Sequence, residues 1–102
     1  MADDAAPRDK LYWATATMMV MDSYSTWRAL ESSPDVIETN YFMNEMYGPR
    51  PNGRQLLEFT IMQFALLEWT RTWNKSNRRA FQYAISITKG MAVVNNFSIA
   101  FD

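Results

Sequence analysis

Apolar and polar positions along the chain sort into three helix-length stretches separated by polar breaks. The first, Asp9 to Leu30, is almost wholly apolar from Leu11 to Met21 apart from Thr15 and Thr17, and then meets Asp22. Thr15, Asp22 and Thr26 recur at i, i+7 and i+11, which is one narrow stripe on a helix, while Trp13, Met18, Met21 and Tyr24 cover other directions. The second stretch, Leu56 to Trp73, reads LLEFTIMQFALLEWTRTW. At about 100° per residue, Phe59, Met62, Phe64, Leu66, Leu67 and Trp69 point in most directions, so the spacing predicts a helix with no solvent face. The third, Arg78 to about Phe97, carries Gln82, Lys89 and Asn96 every seven residues as a polar stripe on an otherwise apolar helix. Its Ala84, Ser86, Thr88, Gly90 and Ala92 are small enough for close helix approach.

The breaks carry their own signals. Ser32-Ser33-Pro34-Asp35 joins an N-cap oxygen, a proline suited to the first turn and an acid at the positive end, which predicts a short helix from about Pro34 to Met46. Gly48-Pro49-Arg50-Pro51-Asn52-Gly53 is a hard stop, and Asn52 with Gln55 has the spacing of a capping box into the second long helix. Asn74-Lys75-Ser76-Asn77 separates the last two helices. Val36-Ile37 and Val93-Val94 are β-branched pairs outside any sustained period-2 pattern, so strands are not the better reading. The expected fold class is all-α, three long helices plus a short one in a small helical bundle. At 102 residues it is one domain over residues 10–102, preceded by a flexible leader over residues 1–9.

A helix apolar all round lies in a membrane, in a large core or against a partner, and this chain is too short to wrap one completely. Phe59, Phe64, Leu67 and Trp69 are therefore expected to face a partner or lipid. The composition pulls the other way: 21% of residues are charged and mean hydropathy is −0.31, polar for a routine multispan membrane protein. Asp22, Glu58, Glu68 and Lys89 sit inside the candidate spans, and a charge at the bilayer centre costs roughly 2.5–3.5 kcal/mol on insertion scales, so such groups must pair. Either Asp22 or Glu58 against Lys89 meets that need. Arg8, Lys10, Arg71, Lys75, Arg78 and Arg79 gather at one side of such a bundle, which by the positive-inside rule is the cytoplasmic side, N-terminus included. Trp27, Tyr41, Tyr47, Trp69 and Trp73 fall near span ends, as an aromatic belt requires.

Candidate chemistry changes this picture little. The chain has no Cys and no His, which removes thiolate nucleophiles, disulfides, zinc-thiolate sites and the commonest general base. Asp22 and Thr26, at i and i+4, read as a buried polar pair in preference to an ion or amide site. Glu38, Asn40 and Glu45 offer oxygens, but without the further acids and glycine of a calcium loop they read as caps and packing contacts. Glu58 and Glu68 stand about 15 Å apart along a helix, too far to share a reaction centre, and Glu58 suits Lys89 or Arg54 as a partner. The basic cluster Arg71, Lys75, Arg78, Arg79 reads as a solvated loop, and with a net charge of −1 nucleic acid is not an expected partner. No catalytic residue, metal, cofactor or small-molecule substrate is expected. Membrane lipid, self-association or a larger protein complex is.

Met21-Asp22-Ser23-Tyr24-Ser25-Thr26, Ser33-Pro34-Asp35, Glu38-Thr39-Asn40, Gly48-Pro49-Arg50-Pro51 and Asn95-Asn96-Phe97-Ser98-Ile99, taken in order, resemble small uncharacterised proteins of tailed phages and proteobacteria. Those carry a D-x-x-x-T helix, then H-P-D, E-x-N-P and H-P-S, and end in a G-x-E…N-Y-S-x-G helix. Here Tyr41 follows Asn40 in place of Pro, Ser33 precedes Pro34 in place of His, and Lys89 stands near the family's late Glu. The matching positions are Asp22, Thr26, Glu38, Asn40 and Ser98. The resemblance implies a hydrophobic, membrane-associated protein without an assigned activity. The expected function is a non-enzymatic helical membrane or membrane-proximal component, phage-encoded, in the bacterial inner membrane or a virion. The alternatives are a holin-like lysis protein whose Gln82, Lys89, Asn96 and Asp22 line a wetted lesion, and a soluble structural subunit of a virion.

Overall fold

In the computed structural model, which describes residues 5–32 and 41–101, all regular structure is α-helical: α1 Lys10–Ser32, α2 Tyr41–Tyr47, α3 Gly53–Thr70 and α4 Lys75–Phe101. The expectation of an all-α bundle of three long helices and a short one holds. Most of the stretch expected to start the short helix, including Glu38 and Asn40, lies outside the described residues.

Local chemistry sets each helix end. Asp9 caps α1, its Oδ1 accepting from the Tyr12 amide at 3.0 Å. The capping box read from the sequence is formed: the Gln55 amide donates to Asn52 Oδ1 at 2.8 Å and the Asn52 amide to Gln55 Oε1 at 2.9 Å. Gly48 follows α2 at φ +85, a left-handed conformation that suits glycine, and its amide closes on the Asn44 carbonyl at 2.7 Å. The break expected at 74–77 is shorter than anticipated. Asn74 itself caps α4 through the Asn77 amide at 2.9 Å, so Lys75 already belongs to the helix.

α1 is the central helix, packed on α3 along one side and α4 along another, whereas α3 and α4 meet little beyond the Trp73–Phe81 edge contact at their connection. Thr15, Asp22 and Ser25 meet Ser86, Lys89 and Asn96 in turn, so α1 and α4 run parallel. Tyr12 meets Glu68 and Ser23 meets Thr60, so α3 is antiparallel to α1. The result is elongated, spanning 47 × 23 × 17 Å. One small core joins Tyr12, Met19 and Leu67, with Ala16, Phe64, Phe81 and Ile85 against it. A second joins Leu56 and Phe59 with Tyr47 of α2.

This geometry corrects part of the outward face expected for the second long helix. Leu67 is fully buried and Phe59 nearly so, and Phe64 is half-buried against the core, whereas Trp69 is 59% exposed. The inward line of α3 is Leu56, Thr60, Leu67 and Thr70, at i, i+4, i+11 and i+14. An all-round apolar sequence gives no phase from which that line can be read, and Phe59 is covered by the short α2.

Residues 5–9, within the stretch expected to be a flexible leader, are tied to the α3 end. Ala6 and Arg71 exchange two bonds, amide to carbonyl at 2.8 Å and Arg71 Nε to the Ala6 carbonyl at 2.7 Å. Arg8 donates to both Glu68 oxygens, at 2.7 and 3.0 Å, the Tyr12 hydroxyl donates to the first and Arg71 to the second. Arg8 foremost, then Tyr12, and Arg71 with them, hold the Glu68 carboxyl down at about 2 from the ordinary 4.5, while burial opposes them. Because the folded value is depressed, the clasp's stabilisation is complete above pH 4.5 and is lost as pH falls through about 2. Thermal midpoints followed from pH 5 to pH 2 are expected to fall more steeply for the wild type than for Glu68→Gln. Parallel curves would show that the clasp contributes nothing.

Candidate functional site

The sequence-expected polar residues converge on the α1–α4 interface. Lys89 Nζ donates to Asp22 Oδ2 at 2.6 Å, with side-chain exposures of 10% and 13%. Asn96 Nδ2 donates to Ser25 Oγ at 3.1 Å and Thr26 Oγ1 at 3.0 Å. Thr15 Oγ1 lies 2.9 Å from Ser86 Oγ and bonds back to the Leu11 carbonyl at 2.8 Å. Gln82 is 2% exposed, and among the described residues its Oε1 has no hydrogen-bond partner.

The register repeats in sevens, Thr15 and Asp22 on α1 against Gln82 and Lys89 on α4. This is the spacing of a parallel coiled-coil seam in which polar seam positions fix register at a cost in stability. Asp22 and Thr26 thus find their partners on α4. Glu58 does not reach Lys89; it pairs with Arg54 one turn away at 3.2 Å, exposed on the surface. The stripe of Gln82, Lys89 and Asn96 expected to line a wetted lesion faces α1 within the same chain.

Of the basic cluster, Arg71 and Arg79 are engaged by Glu68 and Asp9, and Arg78 donates to the Trp73 carbonyl at 3.2 Å. The Arg8–Tyr12–Glu68–Arg71 clasp was not anticipated. Its sequence signal was Asp9 as an N-cap just after Arg8, which makes residues 8 and 9 part of the helix start rather than a free leader. Among the described residues no group of three or more side chains suited to a metal ion occurs.

With polar groups turned inward, the outer surface is apolar along helix-length lines. α1 exposes Trp13, Val20, Tyr24 and Trp27; α3 exposes Leu57, Ile61, Met62, Leu66 and Trp69; α4 exposes Tyr83, Ile87, Met91, Val94 and Phe101. Between Lys10 and Arg28, between Glu58 and Glu68, and from Ala80 to Phe101, the long helices carry only two charges, Asp22 and Lys89, and those are paired inside. Continuous apolar lines of this length are unlike the scattered exposed hydrophobics of an ordinary surface. One apolar groove of about 340 Å³ runs between α1 and α3, where Val20, Tyr24 and Trp27 face Leu57 and Phe64.

No protein-family model matches the chain, and neither does any curated protein or solved structure. What the fold and site define is a class, an all-α bundle with a polar seam inside and apolar helix faces outside.

Proposed function

We propose that the protein is a non-enzymatic helical component that lies in or against a lipid bilayer and works there by packing with copies of itself or a larger complex. The observation that carries this reading is the inverted partition: the ion pair and its polar neighbours are enclosed between α1 and α4, and the helix faces around them are apolar and uncharged. In lipid, polar side chains are retained where they bond across helices, and an ionisable pair faces inward. Among the described residues no helix is long and apolar enough to cross a membrane. On α1 and α4 the average is lowered in part by residues the fold turns inward, Asp22 on α1 and Gln82, Lys89 and Asn96 on α4; on α3 it is lowered by outward residues, Arg54 and Glu58 among them.

The zone of α1 from Trp13 to Trp27, whose one charge, Asp22, is paired inside, is about 21 Å long, against about 30 Å of hydrocarbon. Local thinning of the bilayer and snorkelling of Lys10 and Arg28 accommodate a difference of that size. One end of the bundle gathers six cations, Arg8, Lys10, Arg71, Lys75, Arg78 and Arg79, against Asp9 and Glu68. That favours this end, with the α1 N-terminus, on the cytoplasmic side of a bacterial inner membrane.

A second reading places protein rather than lipid on the same surface, as in a subunit of a virion assembly. It is favoured by the 4-3 spacing of Trp13, Thr17, Val20, Tyr24, Trp27 and Glu31, a line that suits a partner helix. The phage source rests on the sequence resemblance alone. Fractionation of the expressed chain discriminates between the two. Retention in the membrane pellet through an alkaline wash and release by detergent is the expected result. Recovery without detergent as a large assembly would replace lipid by protein, and recovery as a monomer in buffer would overturn both.

A further inference from the structure

The α1–α3 groove differs from the rest of the apolar surface in being concave and in having a floor whose polar atoms are already satisfied. Ser23 and Thr60, on facing helices, bond to each other, and Thr60 Oγ1 also donates to the Leu56 carbonyl at 2.8 Å. With the Ser23 and Thr60 hydroxyls engaged with each other, the floor favours an apolar occupant. The walls are Val20, Tyr24 and Trp27 on one side and Leu57 and Phe64 on the other. The Trp27 indole lies over the first turn of α3, where a Cβ at position 53 would sit in ordinary contact with it at 3.9 Å.

At that turn stands Arg54, its side chain 87% exposed and bonded only at the surface to Glu58. An exposed pair of this kind is worth about 0–1 kcal/mol, so a phosphate can take the guanidinium from it at little cost. The groove therefore runs from beside an exposed cation in the first turn of α3, paired at the surface with Glu58 and at the end of the bundle opposite the six-cation cluster, along apolar walls toward Phe64. This is the profile of one phospholipid, phosphate above and acyl chain below.

We propose that this groove holds a phospholipid acyl chain as a persistent site, with the phosphate at Arg54. The inference rests on the lipid reading of the protein's surroundings. It is tested with two proteins reconstituted in phosphatidylcholine vesicles, one retaining only Trp27 and one only Trp13, the other tryptophans being replaced by phenylalanine. Phosphatidylcholine brominated on its acyl chains is titrated in as quencher. Trp13 lies on the same α1 stripe but does not line the groove.

Trp27 is expected to be quenched saturably, reaching half its limit at a several-fold lower fraction of brominated lipid than Trp13. Val20→Phe, which fills the groove, is expected to remove that difference. Equal behaviour of the two tryptophans would overturn the groove site and leave the lipid reading standing. Quenching of Trp13 with Trp27 shielded would mean that a protein segment fills the groove, which also overturns the site. Quenching of neither would remove the lipid reading itself. Native mass spectrometry of the detergent-exchanged wild-type chain gives an independent readout that needs no tryptophan variant. One retained phospholipid is expected, weakened several-fold by Arg54→Gln and lost in Val20→Phe; a wild-type chain without lipid would overturn the site.

Discussion

Replacing Lys89 by leucine is expected to destabilise the fold by about 3–5 kcal/mol, the cost of leaving a buried carboxylate without its partner. Asp22 is enclosed with Lys89 on the α1–α4 seam, and no other charged side chain stands within the uncharged stretches of the long helices. The double variant Asp22→Leu with Lys89→Leu removes both charges and is expected to recover most of the loss, since replacing a whole buried pair by apolar residues is often neutral or stabilising. Unfolding followed by far-UV circular dichroism, in the medium in which the chain is folded, checks both. A single variant as stable as wild type would mean that Asp22 reaches solvent or another donor. The double variant separates a second property, since seam polarity fixes register: it is expected to be stable yet to tolerate sliding of α4 along α1. Cross-linking between single cysteines placed on the two helices reads that sliding without interference, because the chain has no cysteine of its own.

Leu67→Ala is the second large effect, a loss of about 2–5 kcal/mol. Leu67 has no exposed surface and joins Tyr12 and Met19 in a core closed by Ala16, Phe64, Phe81 and Ile85, so a cavity there is lined by side chains already packed in place. Leu57→Ala, ten residues earlier on the same helix and 61% exposed, is the control. It is expected to leave the isolated bundle's stability nearly unchanged and to weaken whatever covers the outer surface. If the two alanine variants cost the same, α3 packs on α1 in a different rotation from the one described here.

Those two leucines mark the limit of what could be read from the sequence. Helix existence, the Asn52–Gln55 capping box and the polar stripes were legible because each rests on local spacing: Gln82, Lys89 and Asn96 at intervals of seven, Asp22 and Thr26 at an interval of four. Pairing of Lys89 with Asp22 rather than Glu58 was not legible, since it depends on α1 and α4 lying parallel with α3 to one side. For α3 the difficulty was physical. Apolar side chains at every angle carry no amphipathic phase, so only tertiary contact turns Leu67 and Phe59 inward and leaves Trp69 outside. The clasp at Glu68 was hidden for another reason: its two other charged members, Arg8 and Arg71, are 60 and 3 residues away, and charge alone does not distinguish a tethered end from a loose one.

Parallel packing of α1 against α4 also has a consequence in time. Asp22 and Lys89 are separated by 67 residues, and a parallel pair cannot be closed by a short hairpin; the chain must first make α2 and α3 and return. At about 5–20 residues per second, translation takes roughly 3–13 s to cover that interval. Throughout it the nascent α1 displays an unpaired carboxylate in the middle of an apolar helix, because its partner Lys89 arrives only with α4. Birth of the fold is therefore a late event, decided by the helix made last of the four.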